Sequence, residues 1–182
     1  MDALRDLFFA QQVLATLFSV TNKLQTQGDK YLRDLTFRQM LAVPSVAHAP
    51  EGKATINHIA RNLGTTKQSA KQIVDTMVKK GYFSVEPSER DKRAVDVSIT
   101  TEGTQTFNAC SERTDIFMAD IFRDFSTEEL ETLCTLLEKL YQFDGIAQPG
   151  VMEHINAHLS EAGDVLVHHQ NFAERRAENN EE

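Results

Sequence analysis

The chain has 182 residues, with 41% hydrophobic and 25% charged residues, which fits a soluble globular protein of one domain plus appended helices and excludes a disordered chain. Eight Gly and four Pro are too few for a turn-rich all-β protein, and no apolar run is long enough to span a bilayer. The net charge of −8 argues at first against a nucleic-acid partner. Residues 3–27 predict one long helix of about 37 Å: Leu4, Leu7, Phe8, Leu14, Leu17, Phe18 and Leu24 repeat at helical spacing, with no Gly or Pro before Gly28. Such a stripe exceeds what a small core can cover, so part of it is expected to meet another chain. Thr36 is an N-cap candidate for a second helix carrying Phe37, Met40, Leu41 and Val43, which Pro44 should kink or end. His48 to Gly52 reads as a loop.

Two short helices follow. Thr55 caps the first, with Ile56, Ile59, Ala60 and Leu63 inward, and Gly64 supplies the turn. Thr66 caps the second, with Ala70, Ile73, Val74, Met77 and Val78 inward, and Gly81 ends it. Two helices around a tight Gly turn, with small Ala60 at their crossing, predict a helix-turn-helix. Tyr82–Val85 and Ala94–Thr100 predict two strands joined by a charged tip, a wing. Asp96 and Ser98 should face water while Val95, Val97 and Ile99 face inward. Beyond Glu102, Phe107, Cys110, Thr114, Phe117, Met118, Ile121 and Phe125 share a face, and Ser126 to Glu129 form a capping box. Leu130, Leu133, Leu137, Leu140 and Tyr141 mark the helix behind that box, and Val151 to Leu166 suggest one more.

The charge is unevenly spread. Residues 53–93 hold nine Lys/Arg against four acids, a local excess of five positive charges, so the remainder carries −13. A basic middle in an acidic shell suits a localised polyanion site, although a solvated charged face is the plainer reading of charge alone. On the helix from Thr66, the outward residues are Lys67, Gln68, Lys71 and Gln72, with Thr66 and Ser69 at the end that would enter a groove. Gln suits the adenine edge, Lys guanine or phosphate, and Thr and Ser phosphate or a thymine methyl. Arg90, Lys92 and Arg93 at the wing tip suit a narrow, strongly negative minor groove. Asp91 beside them reads as a partner for an Arg.

Leu35-Thr36-Phe37-Arg38-Gln39, the helix-turn-helix of residues 54–83, Asp91-Lys92-Arg93 and Thr100-Thr101-Glu102-Gly103 occur in that order. In this the chain resembles the MarR family of winged-helix transcription regulators over roughly residues 30–143. The resemblance implies a mainly α fold, a winged helix-turn-helix with a two-stranded wing flanked by N- and C-terminal dimerisation helices. Its units would be residues 1–30, 31–100, 101–143 and an extension over 144–182. It implies a homodimer on a palindromic double-stranded operator, probing the major groove with the second motif helix. Arg93 would reach the minor groove, oriented by Asp91. A small aromatic effector would sit near Phe18, Phe37, Met40 and Leu41. The family reading is a repressor in the cytoplasm. The chain departs from the family in Pro44 and in about forty extra C-terminal residues.

A winged-helix module binding an acidic protein is the second reading, and a metal-dependent hydrolase a distant third. His154, His158, His168 and His169 could suggest a metal, but His154-Ile-Asn-Ala-His158 lacks the general-base Glu of a zinc protease. Solvated histidines are the expectation. Cys110 and Cys134 lie on apolar stripes and are both expected to be buried and inert, which fits a reducing compartment. With no phosphate-binding Gly loop or nucleophile elbow, the reading is a non-enzyme without cofactor or metal.

Overall fold

The computed structural model describes residues 2–89, 92–146, 172–173 and 175–176. Helix α1 runs over Asp2–Tyr31 and α2 over Phe37–Ala47. Strand β1 is Ala54–Thr55, followed by α3 (Ile56–Asn62) and α4 (Lys67–Lys79). Strands β2 (Phe83–Pro87) and β3 (Val95–Ile99) lead into α5 (Thr101–Ile121) and α6 (Thr127–Tyr141). The sheet is antiparallel in the order β1-β3-β2. The fold is thus mainly α with a winged helix-turn-helix, but the sheet has a third strand. Two residues carry no periodicity, so β1 leaves no trace in the sequence.

Helix α1 outruns its expected end because Gly28 is not a stop. A Cβ at Gly28 would lie 2.6 Å from Phe37 Cγ, so glycine here lets α2 approach α1 closely. Thr36 does cap α2, in a capping box with Gln39. Pro44 does not end α2, which continues to Ala47. Pro44 is exposed, it costs only the hydrogen bond to the Met40 carbonyl, and Ala42, Val43 and Val46 are buried around it. Packing outweighs the breaker signal over this last turn. The loop after α2 contains a short 3₁₀ turn, Pro50–Gly52.

One core joins the elements. Ile59, Ala70, Val74, Met77 and Val97 fill its centre, and Phe37, Phe107 and Phe117 extend it toward α1 and α5. One inward and one outward assignment change. Val78 is exposed, one position beyond the buried stripe of α4. Asp96 is buried instead of facing water, and its Oδ1 makes no hydrogen bond to the described residues. At the joint between sheet and α5, Thr100 caps α5 through Gly103 N–H (2.9 Å), and its hydroxyl donates to Gly81 O (2.7 Å).

Candidate nucleic-acid interface

The helix-turn-helix follows from its punctuation. Thr55 Oγ1 accepts from His58 N–H at 3.2 Å and Thr66 Oγ1 from Ser69 N–H at 3.1 Å, so both helices start on a hydroxyl cap. Gly64 takes φ +57°, and Thr65 N–H closes the turn on Ala60 O at 2.9 Å. Buried Ala60 and Ala70 let α3 and α4 cross closely. With Ala70, Val74 and Met77 fixed in the core, the helical period leaves Lys67, Gln68, Lys71 and Gln72 exposed on the other side of α4. Thr66 and Ser69 are also bonded hydroxyl to hydroxyl at 3.0 Å, so both serve the cap as well as facing outward at the helix start.

The face is not purely cationic. Lys71 Nζ lies 2.6 Å from Asp75 Oδ2, with both side chains more than half exposed. An exposed i,i+4 pair contributes about 0–1 kcal/mol, so phosphate can displace the carboxylate at little cost. Gln72 shares a groove with Thr36, Arg38, Gln39, Ser69, Ile73 and Thr76 between α2 and α4. Sequence reasoning missed Arg38 here. Its Nη2 donates to Thr65 Oγ1 at 2.8 Å, placing an exposed guanidinium beside the helix-turn-helix corner. Only the tertiary contact reveals this, because Arg38 lies 27 residues from Thr65. Lys80 is held at the far end of α4 by Asp34 O and Gln39 Oε1.

The wing pairs Phe83 with Ile99 through Pro87 with Val95, and Ser88 N–H donates to Ala94 O at 3.1 Å. Lys92 and Arg93 are exposed at the tip. Arg90 and Asp91 lie outside the described residues, as do His154, His158, His168 and His169. Among the described residues no group of three His, Cys, Asp or Glu could hold a metal, and no helix is long and apolar enough to cross a membrane.

The four residues expected around an effector do not come together. Phe37 is core, edge-on to Phe117 at 5.2 Å and packed under Gly28. Phe18 is exposed on α1, ten residues before Gly28 and so about 15 Å along the helix. Met40 is half-buried and Leu41 exposed. The apolar cavity lies elsewhere, with a volume of about 700 Å³, between Leu14 of α1, the Arg61–Thr65 turn, and Leu140, Tyr141, Phe143 and Ile146. Tyr141 closes one side by donating to Arg61 O at 3.2 Å.

Cys110 is buried, and burial raises its thiol pKa. Cys134 is exposed, contrary to expectation, because α6 buries none of its residues against the rest of the chain. Helix α1 likewise leaves Leu4, Leu7, Phe8, Phe9, Val13, Leu14 and Phe18 uncovered.

Residues 33–94 match the sequence profile described as the MarR family. The transcriptional activatory protein BadR of Rhodopseudomonas palustris is 24% identical over 147 residues, covering 74% of this chain and 82% of BadR. A mutant MarR from E. coli complexed with operator DNA superposes with a TM-score of 0.64 at 23% identity, over 71% of this chain and 93% of that one. The organohalide-sensing regulator RdhR in its 2,4-dichlorophenol-bound form gives 0.64 at 18% identity, over 72% of this chain and 79% of that one. The profile match covers the helix-turn-helix and most of the wing just described, and the fold agrees with it: over residues 33–94 the chain carries the sequence pattern of the MarR family on a winged-helix fold.

Proposed function

We propose that the chain acts in the cytoplasm as a homodimeric, sequence-specific regulator on a palindromic operator. The observation that carries this is the two-sided α4: one face locked into the core, the other presenting Lys67, Gln68, Lys71 and Gln72 beside the cationic wing. Lys and Gln are the side chains that read guanine and adenine edges in the major groove. The uncovered apolar faces of α1 and α6 support a dimer, which would set two α4 helices about one DNA turn apart (~34–36 Å). Repression follows where the operator overlaps the promoter, and activation where it lies beside it. BadR is named a transcriptional activatory protein, so activation stands beside repression as an outcome.

A gel shift across salt concentrations tests the reading. Steep loss of binding with salt supports DNA, and no binding to any duplex at low salt leaves the acidic-protein partner as the better reading. Within this reading the two DNA-facing elements divide the work. Gln68→Ala should cost on the order of 1–3 kcal/mol at one base pair per half-site and leave the salt slope unchanged. Arg93→Ala should weaken specific and scrambled duplexes alike and lower the salt slope by about one. Asp91 is assigned to orient Arg93, so Asp91→Ala should act as a milder Arg93→Ala. Salt titrations on both duplexes check all three, and tighter binding by Asp91→Ala would refute the orienting role.

We assign ligand tuning to the cavity beside the Arg61–Thr65 turn and not to the Phe18, Phe37, Met40 and Leu41 set. Its walls are mainly aliphatic and aromatic with Arg61, Thr65 and Asp144 among them, it abuts the corner that precedes α4, and it suits a small aromatic molecule with a polar group. With 2,4-dichlorophenol as probe, saturating ligand should lower operator affinity, and saturating operator should lower ligand affinity by the same factor. Calorimetry in both orders measures this, and ligand binding that leaves operator affinity unchanged would sink the assignment.

A further inference from the structure

The C-terminal residues described by the structure fold back onto the joint between α1 and the winged-helix core. Arg175 forks onto Asp120, Nε to Oδ1 at 3.1 Å and Nη2 to Oδ2 at 3.4 Å. The same carboxylate accepts from Tyr31 Oη at 2.9 Å, so one side chain in the last turn of α5 holds both the end of α1 and the C-terminal segment. Burial pushes the Asp120 carboxyl up, but hydrogen bonds from Arg175 and Tyr31 and the nearby Arg charges outweigh it and hold the group below its ordinary range. Arg176 donates to the Phe125 carbonyl at the α5–α6 corner and lies 5.6 Å over the Phe172 ring. Two consecutive arginines therefore grip two different elements.

The grip bears on the joint. Tyr31 packs at 4.8 Å against Phe117 with the rings tilted by 45°, and Phe117 meets Phe37, the first residue of α2. Phe37 N–H in turn donates to Asp29 Oδ1 at 2.6 Å, back on α1. Residues 32–36, the sole covalent path from α1 into the core, are bracketed by this chain of contacts. Arg175 and Arg176 lie far outside residues 33–94, the segment that matches the family profile, so the strap is an addition to the winged-helix core.

We propose that Arg175 straps this joint, with Arg176 anchoring the segment at the α5–α6 corner, fixing the angle at which α1 carries the winged-helix core and thereby its affinity for DNA. The second half rests on the DNA-binding reading above. Arg175 and Asp120 are partly exposed (43% and 26% for the side chains), so the strap is of modest strength and can be released without unfolding the protein.

Amide exchange on the full-length chain tests it. Arg175→Ala should speed exchange in residues 28–36 by roughly threefold to tenfold and leave α4 unchanged. Arg175→Lys should restore only part of the protection, since an ammonium cannot fork onto a carboxylate. Asp120→Asn should mimic Arg175→Ala. Unchanged exchange at 28–36 overturns the strap, and equal acceleration in α4 overturns it in favour of general stabilisation. Gel shifts on the same proteins test the coupling, with an affinity change of about threefold or more expected for Arg175→Ala. A variant with loosened exchange that binds as the wild type does would overturn the coupling. If the wild type binds no duplex, the DNA reading fails, while the exchange data still decide the strap.

Discussion

Leu7→Lys combined with Phe18→Lys is expected to yield a folded monomer that binds operator about a thousandfold more weakly than the wild type. Both side chains are more than half exposed in the protomer, so the new charges meet water and leave the core intact. In a dimer they would meet the partner's apolar face, where an unpaired ammonium is costly to bury. A lone winged-helix unit keeps one half-site and loses the second. Specific binding is commonly about 10³–10⁷ tighter than non-specific binding, and much of that ratio depends on both halves engaging together. Sedimentation at micromolar concentration and a gel shift on the full palindrome measure the two effects. A double variant that stays dimeric would remove α1 from the interface.

Gly103→Ala is expected to destabilise the protein by about 3 kcal/mol. In most helices the same change is favourable by up to about 1 kcal/mol, so the sign itself is diagnostic. A Cβ at Gly103 would collide with the Tyr82 carbonyl oxygen, and that oxygen cannot move freely. It accepts from Thr100 N–H at 3.0 Å and from the Thr100 hydroxyl at 3.2 Å, the residue that caps α5. The methyl would force apart the joint where β3 enters α5. Gln105→Ala, on the exposed side of the same helix, should stay within about 0.5 kcal/mol of wild type. Urea unfolding of both variants gives the comparison.

The parts that were legible in the sequence share one property: a local signal fixes them. Thr55, Gly64, Thr66 and Gly81 each mark a helix boundary, and the buried Ile59, Ala70, Val74 and Met77 follow from the period between those marks. The outward face of α4 comes with the same period, so fixing the core fixed the exposed candidate residues too. The parts that were not legible depend on a distant neighbour. Gly28 resembles a helix stop until Phe37 is seen against it. Asp96 follows an alternating pattern that should expose it, yet the tertiary fold buries it. Arg38 is one more surface cation until Thr65 is beside it, and Asp120 has no visible role until Tyr31 and Arg175 reach it. Cys134 fails in the other direction, since its apolar stripe has no cover within one protomer.

The length of α1 has a mechanical consequence. Thirty residues at 1.5 Å each make a rod of about 45 Å. If contacts with a second copy hold only its far end, the winged-helix core hangs from its near end, a full rod length away. A tilt of about 5° then carries the core through about 4 Å, slightly more than the rise of one base pair (~3.4 Å). A rod of half that length would need twice the tilt. Clamped in that way, the long first helix would work as a lever, turning an angular change too small to disturb side-chain packing into a full base-pair mismatch at the DNA.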